Sequence, residues 1–220
     1  MIIGISGYVG NRLTGIGRVL INILSELAKQ YPEDKYVLFR NFDFKEYDNL
    51  TQYQNIEIVD VPYTKESGLK NILWHQWLFQ KLLKKYKCDI AYIPNFTLLL
   101  WKTIPTIVTI HDLIEYNVPD KFSKARMFYR KQVCDPLMAK KSNHILTVSK
   151  SSYKDIISYL GVKPSKLTLT LNATDRNVFK KYSKEKIIPA IKKYNLEYKK
   201  YLLFVGTIDF PGKNIKTIIE

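Results

Sequence analysis

The chain has 220 residues, 46% of them apolar and 25% charged, a balance that excludes a largely disordered polypeptide and leaves room for one or two domains with a sizeable core. Its 35 Lys and Arg against 20 Asp and Glu give a net charge of +15, which implies an anionic partner: nucleic acid, an acidic membrane surface or a phosphorylated substrate. The longest apolar stretch, residues 96–101, is far too short to cross a bilayer, and Met1-Ile2-Ile3-Gly4-Ile5 lacks the basic start of a secretion signal. Cys88 and Cys134 fit no metal or redox spacing and read as buried thiols in a reducing cytoplasm.

Apolar runs at 2–6, 35–40, 56–61, 89–93, 106–110, 144–148, 167–171 and 201–205 predict strands. Several are apolar almost throughout, as strands are when both faces of a parallel sheet are covered. Between them, residues 16–30, 69–87, 122–141 and 149–160 predict amphipathic helices, the last with Ser151, Ser152 and Asp155 in its first turns and a stop at Gly161. The alternation predicts an α/β fold built on a doubly wound, mostly parallel, Rossmann-like sheet. Ligands bind such sheets at the carboxyl ends of the strands, so the loops after Ser6, Ile93, Ile110 and Val148 should converge. Residues 172–200 are polar, Lys-rich and interrupted by Pro189, which predicts a linker with one short helix. A new buried strand is expected at 201–205 and the start of a helix at 213–220. The expected organisation is a domain at 1–171, a linker at 172–200 and the truncated opening of a second domain at 201–220, docked on the first domain or exchanged with a neighbouring copy.

Candidate functional residues cluster at the expected ligand edge. Gly4-Ile-Ser-Gly7-Tyr8-Val9-Gly10 ends the first strand, and Thr14-Gly15-Ile16-Gly17-Arg18 opens a helix. Glycines there let backbone N–H groups approach an anion, although a simple tight turn explains the pattern equally well. The third glycine of a dinucleotide fingerprint is replaced by Leu20, and no Gly-Lys-Ser/Thr follows, so neither NAD nor a Walker loop is indicated. His111-Asp112 follows the strand at 106–110, where a histidine either serves a ligand or caps the loop through its ring N–H. His75, between Trp74 and Gln76, and His144, at a strand start, read as structural. Asn95 heads the apolar loop 96–101, which either folds onto the core or faces a lipid or apolar acceptor. Residues 121–141 carry seven basic side chains against one acid, Asp135, while Phe122, Tyr129, Val133 and Leu137 keep one face apolar. This reads either as a solvated surface helix or as a basic helix resting on an anionic bilayer. Lys81, Lys84, Lys85 and Lys87 add a second basic cluster, and the absence of interleaved aromatics ranks nucleic acid below membrane.

Several segments together resemble the family 4 retaining glycosyltransferases of the GT-B fold: Thr14-Gly-Ile-Gly-Arg18, Val108-Thr-Ile-His-Asp-Leu113 and Leu146-Thr-Val-Ser-Lys150. Lys166 through Asn172-Ala-Thr-Asp175 is similar to that family's K-[IL]-x-V-x-x-N-G-V-D turn, with Ala173 in place of the glycine. Leu203-Phe-Val-Gly-Thr207, followed by Lys213-Asn214, looks like the opening of its donor domain. The resemblance implies an acceptor-binding domain facing a nucleotide-sugar-binding domain. It places Gly15 and Gly17 near the donor diphosphate, His111 close to the transferred sugar and Lys213 on the diphosphate. Two positions that are often arginine in the family are Thr207 and Gly212 here, so Arg18 is the candidate to supplement the cationic clamp. On the acceptor side the expected residues are Tyr8, Asn95 and Asp112. The family's paired glutamates would fall beyond Glu220.

No metal and no cofactor are implied, the nucleotide-sugar being a substrate. The expected partners are that nucleotide-sugar, a saccharide or lipid-linked acceptor, an anionic membrane surface and a missing C-terminal domain, with no nucleic acid. The implied activity is hexosyl transfer in surface polysaccharide synthesis by a cytoplasmic protein, either free or peripheral at the inner face of the plasma membrane, with the fragment alone inactive. A GT-B enzyme acting on a soluble acceptor such as a sugar phosphate, or a non-catalytic basic module, are the alternatives.

Overall fold

Seven of the apolar runs pair as parallel strands: β1 (Ile2–Gly7), β2 (Lys35–Arg40), β3 (Ile56–Asp60), β4 (Ile90–Ile93), β5 (Thr106–Thr109), β6 (His144–Thr147) and β7 (Leu167–Leu169). Their order is β3-β2-β1-β4-β5-β6-β7, the doubly wound α/β arrangement expected. This computed structural model describes residues 1–8, 13–61, 68–174, 179–206 and 213–220; Val9, Gly10, Asp175, Thr207 and Gly212 of the motifs above lie outside the described residues. The chain divides into two units, Met1–Leu171 and Asn172–Glu220.

Helices cover both faces of the sheet. α1 (Gly15–Gln30) buries Leu20, Ile21, Leu24 and Ala28, the 3.6-period stripe, against Ile5, Tyr36 and Leu38. On the other face, α2 (residues 68–85) buries Trp74, Phe79 and Leu83 against Val37, Phe39 and Ala91. Gly4 marks how close α2 comes, because a Cβ at that position would collide with the side chains of Leu83 and Cys88. α4 (Lys150–Leu160) is capped as expected: Ser149 Oγ accepts from Ser152 N–H at 3.0 Å, and Gly161 ends it at φ 62°. Both cysteines are buried free thiols, with burial pushing Cys88 up to about 11 and Cys134 up to about 12.

α2 and α3 (residues 124–141) each carry a turn wound one residue too wide. Phe79 N–H donates to Trp74 O and Asp135 N–H to Arg130 O, five residues back in each case. In α3 the cause is legible: Pro136 has no N–H for the carbonyl of Gln132, so the ladder shifts ahead of it. The extra residue rotates the helix. Phe122, Tyr129, Val133 and Leu137, expected as the apolar face, are only half-buried, and the positions turned fully inward are Cys134, Asp135, Met138 and Ala139.

The second unit departs from expectation. Its Lys184–Lys192 helix contains Pro189, but residues 201–205 form no strand, and Leu202, Leu203 and Val205 are 89%, 73% and 83% exposed. An apolar run becomes a strand only with a ladder partner, and the described residues of this unit contain no other strand.

Candidate active site

Strand order reverses between β1 and β4, so the chain leaves these neighbours in opposite directions and opens a crevice at their carboxyl ends. Two side chains stitch its rim. Asn95, just after β4, donates from Nδ2 to the carbonyl of Tyr8, just after β1, at 3.3 Å, while its Oδ1 accepts from Phe96 N–H at 2.7 Å. A cavity of about 560 Å³ opens there, walled by Tyr8 and Asn95, by Asn71 and Ile72 of α2, and by Arg126, Tyr129 and Arg130 of α3. Tyr129 and Arg130 belong to the wide turn of α3.

His111 stands at the same corner. Its Nε2 lies 3.0 Å from the Pro94 carbonyl, which can only accept, so Nε2 is the donor and in the neutral tautomer the lone pair sits on Nδ1. The backbone beneath is fixed by the Leu146–Lys150 segment and the helix after it: Thr147 Oγ1 donates to Ile110 O and Ser152 Oγ to His111 O, both at 2.8 Å. Two motifs distant in sequence are thus one device for holding a half-buried imidazole. The ring N–H caps the neighbouring loop, and this leaves a nitrogen able to meet a ligand.

A neutral hydrogen-bond network forms the floor. Buried His75 donates from Nδ1 to Asn71 O and accepts at Nε2 from Ser6 Oγ, both at 2.9 Å; Ser6 Oγ accepts in turn from Trp74 Nε1 and Tyr8 N–H. Burial lowers His75 to about 4, so the ring is neutral. The adjacent Gln76 clamps the apolar loop, donating to Leu98 O at 2.9 Å and accepting from Leu100 N–H and Trp101 N–H; Gln80 accepts from Thr103 N–H and Oγ1. The loop folds onto the core only in part. Leu98 and Leu99 are buried, whereas Leu100 and Trp101 are exposed, the latter packed edge-to-face on exposed Trp77 at 5.3 Å.

The third wall is ionic. Arg130 donates from Nε to buried Glu115 at 2.9 Å and lies 3.7 Å over the Phe96 ring. Asp135, the one acid in the basic run, is buried against Glu115. As two carboxylates, Glu115 Oε2 and Asp135 Oδ2 would each be buried without a donor; one proton between them satisfies the pair. Burial, then the hydrogen bond and charge of Glu115, raise Asp135 to about 9, so Asp135 holds the proton. For Glu115 burial pushes upward, but the hydrogen bonds from Asp135 and Arg130 outweigh it and hold that carboxyl below its usual range. Neither acid was singled out from sequence, Asp135 because a lone acid among bases reads as surface. The available signal was Pro136, which marks the register shift turning its neighbour inward.

Asp112, Gly15, Gly17, Arg18 and His144 are not among the described residues that wall the cavity. Asp112 is exposed and turns its Oδ1 to Ile114 N–H at 3.3 Å, capping the short Ile114–Asn117 turn. Gly15 and Gly17 open α1, where Thr14 makes no side-chain cap, a Cβ on Gly15 would meet open space and Gly17 is buried. Arg18 reaches Glu46 at 3.6 Å, an exposed pair of little energetic weight. Lys213 belongs to the second unit, where it is exposed ahead of Lys216–Ile219. His144 bonds Thr168 Oγ1 at 2.8 Å, a structural role. Among the described residues no three His, Cys, Asp or Glu side chains gather as metal ligands, and no helix is long and apolar enough to cross a membrane.

The profile of Glycosyltransferase Family 4 matches residues 13–178. O-antigen chain mannosyltransferase B of Escherichia coli is 27% identical over an alignment of 221 residues, taking in 94% of this chain and 56% of the relative. Among solved structures the chain is similar to WaaG, a glycosyltransferase involved in lipopolysaccharide biosynthesis (TM-score 0.62, 12% identity, 89% of this chain and 52% of that one). It is also similar to Anabaena HepE in complex with UDP and glucose (TM-score 0.57, 16% identity, 89% and 50%). These structural likenesses show the fold. The chain spans about half the length of the relatives it matches.

Proposed function

Because the chain belongs to glycosyltransferase family 4, we propose that it forms the acceptor side of an enzyme that moves a sugar from a nucleotide-sugar to a saccharide acceptor during surface polysaccharide assembly. The observation that carries this reading is the corner where the ends of β1, β4 and β5 meet, with Tyr8, Asn95 and His111 joined through backbone carbonyls beside an open cavity. The acceptor occupies that cavity. His111 Nδ1 accepts a hydroxyl of the transferred sugar and orients it, a positioning role its fixed tautomer suits. The uncapped N–H groups opening α1 at Gly15–Gly17 face the donor diphosphate and stabilise the charge that develops as it leaves, with Arg18 and Lys213 as the supporting cations. Transfer with retention, the need for a separate donor domain and inactivity of these 220 residues alone belong to the same proposal, as does catalysis without a metal.

We further propose a lipid-linked acceptor met at an anionic bilayer. Leu73, Trp77, Leu100 and Trp101 are exposed together beside the lysines of α2. In the full-length enzyme, release of nucleoside diphosphate should depend on a saccharide acceptor and yield a new glycoside. Cleavage of the acceptor, or phosphoryl transfer to it, would contradict the reading. Vesicles containing phosphatidylglycerol should bind the chain more tightly than neutral ones, with the difference shrinking in salt. Equal binding to both would remove the lipid arm while leaving the transferase reading intact.

A further inference from the structure

Arg130 is an unusual wall for a sugar cavity. Its side chain is only 13% exposed, yet its terminal nitrogens are not among the buried polar atoms that lack a partner, so they still reach solvent. Nε is taken by Glu115, and the faces of the group are taken by Phe96, 3.7 Å from its centre, and Phe122 at 5.3 Å. Those contacts lock the plane but leave the two terminal amino groups without an acceptor among the described residues. Arg126, one turn earlier and exposed, lies 4.1 Å over the same Phe122 ring, so two guanidiniums are gathered at one edge of the cavity. Among the described lining residues there is no carboxylate to balance them. Behind the wall, Glu115 offsets Arg130 alone, because Asp135 keeps its proton. The cavity therefore carries an excess of positive charge with donors in a planar, bidentate geometry.

We propose that Arg126 and Arg130 form an anion subsite in this cavity and that the acceptor carries a phosphate or comparably acidic group there. The inference rests on the reading of the crevice as the acceptor site and deepens it by naming the substrate class. Glu115, with the proton shared by Asp135, is a positioning residue that holds the guanidinium plane.

The test is calorimetric titration of the 220-residue chain with inorganic phosphate, a hexose 1-phosphate and the neutral hexose. The hexose phosphate should bind at least about tenfold more tightly than the hexose, and Arg126→Gln should remove about that factor. Lys163→Gln, in the separate cavity beside β7, should leave binding unchanged. Arg130→Gln should weaken phosphate further; if that variant fails to fold, exposed Arg126 still decides the matter. A parallel arm with phosphatidylglycerol vesicles identifies the source: sensitivity to Arg126→Gln with vesicles but not with the free hexose phosphate assigns the anion to a lipid headgroup. Binding of hexose phosphate and of vesicles alike that neither arginine variant changes would overturn the subsite. Binding needs no turnover, so this result and the outcome of the transfer assay can fail independently.

Discussion

α2 and α3 flank one cavity, and each contains a turn five residues wide, yet they bury opposite chemistry. α2 turns in His75, Gln76 and Gln80, neutral groups whose hydrogen bonds are made to named partners. α3 turns in Arg130 and Asp135, and with Glu115 they form a buried ionic group sharing one proton. The neutral wall fixes the shape of the cavity; the ionic wall gives it charge. Breaking either should cost stability, but by different amounts and with opposite dependence on pH.

The largest effect is expected from Arg130→Leu, which strands Glu115 as a buried, unpaired charge and should cost roughly 3–5 kcal/mol. Adding Glu115→Leu to that variant should restore most of the loss, and urea melts of the single and double variants measure the difference. Gln76→Leu leaves Leu98 O, Leu100 N–H and Trp101 N–H without their partner and should cost about 2 kcal/mol, with local loosening of the loop seen as faster amide exchange.

The pH dependence separates the two walls more finely. His75 is lowered in the fold, so between the ordinary imidazole value and about 4 the unfolded chain holds a proton the native one lacks, and stability falls as pH drops through that window. Asp135 is raised, so between the ordinary carboxyl value and about 9 the native chain holds a proton the unfolded one lacks, and stability falls as pH rises. Glu115, held low, acts only below about pH 4.5. Between about 4 and the ordinary imidazole value the two slopes oppose each other and the melting temperature should change little; above that window it should fall through Asp135 alone. Asp135→Asn should remove the alkaline fall and leave the acid-side rise of His75, whereas His75→Gln should extend the Asp135 fall down towards the ordinary carboxyl value; the reverse pattern breaks the assignment. The smallest effect belongs to Arg18→Gln, within about 0.5 kcal/mol because its pair with Glu46 is exposed. Lower affinity for nucleoside diphosphate in the full-length protein would be its sole large consequence.

The sheet was legible because strands covered on both faces write continuous apolar runs, and seven of those runs found partners in order. The run at 201–205 looks the same in sequence, and it shows that hydrophobicity proposes a strand while the ladder decides. That Tyr8, Asn95 and His111 fall at neighbouring strand ends was legible, because this topology sets the carboxyl ends of β1, β4 and β5 side by side. The side chains of Arg18, expected to supplement the cationic clamp, and Asp112, expected on the acceptor side, turn to Glu46 and to the backbone of Ile114. The ionic wall escaped notice because a one-residue shift in helix winding reverses which side chains face inward, and in α2 nothing comparable to Pro136 announces it.

The central claim is that the β1–β4–β5 corner is where the reaction is organised. In the full-length protein, His111→Ala should lower turnover by about 100-fold or more while moving the melting temperature little, since the ring is half-buried and among the described residues makes one hydrogen bond, to Pro94. Turnover within a few-fold of the parent, or a collapse of stability that accounts for the loss, would contradict that claim.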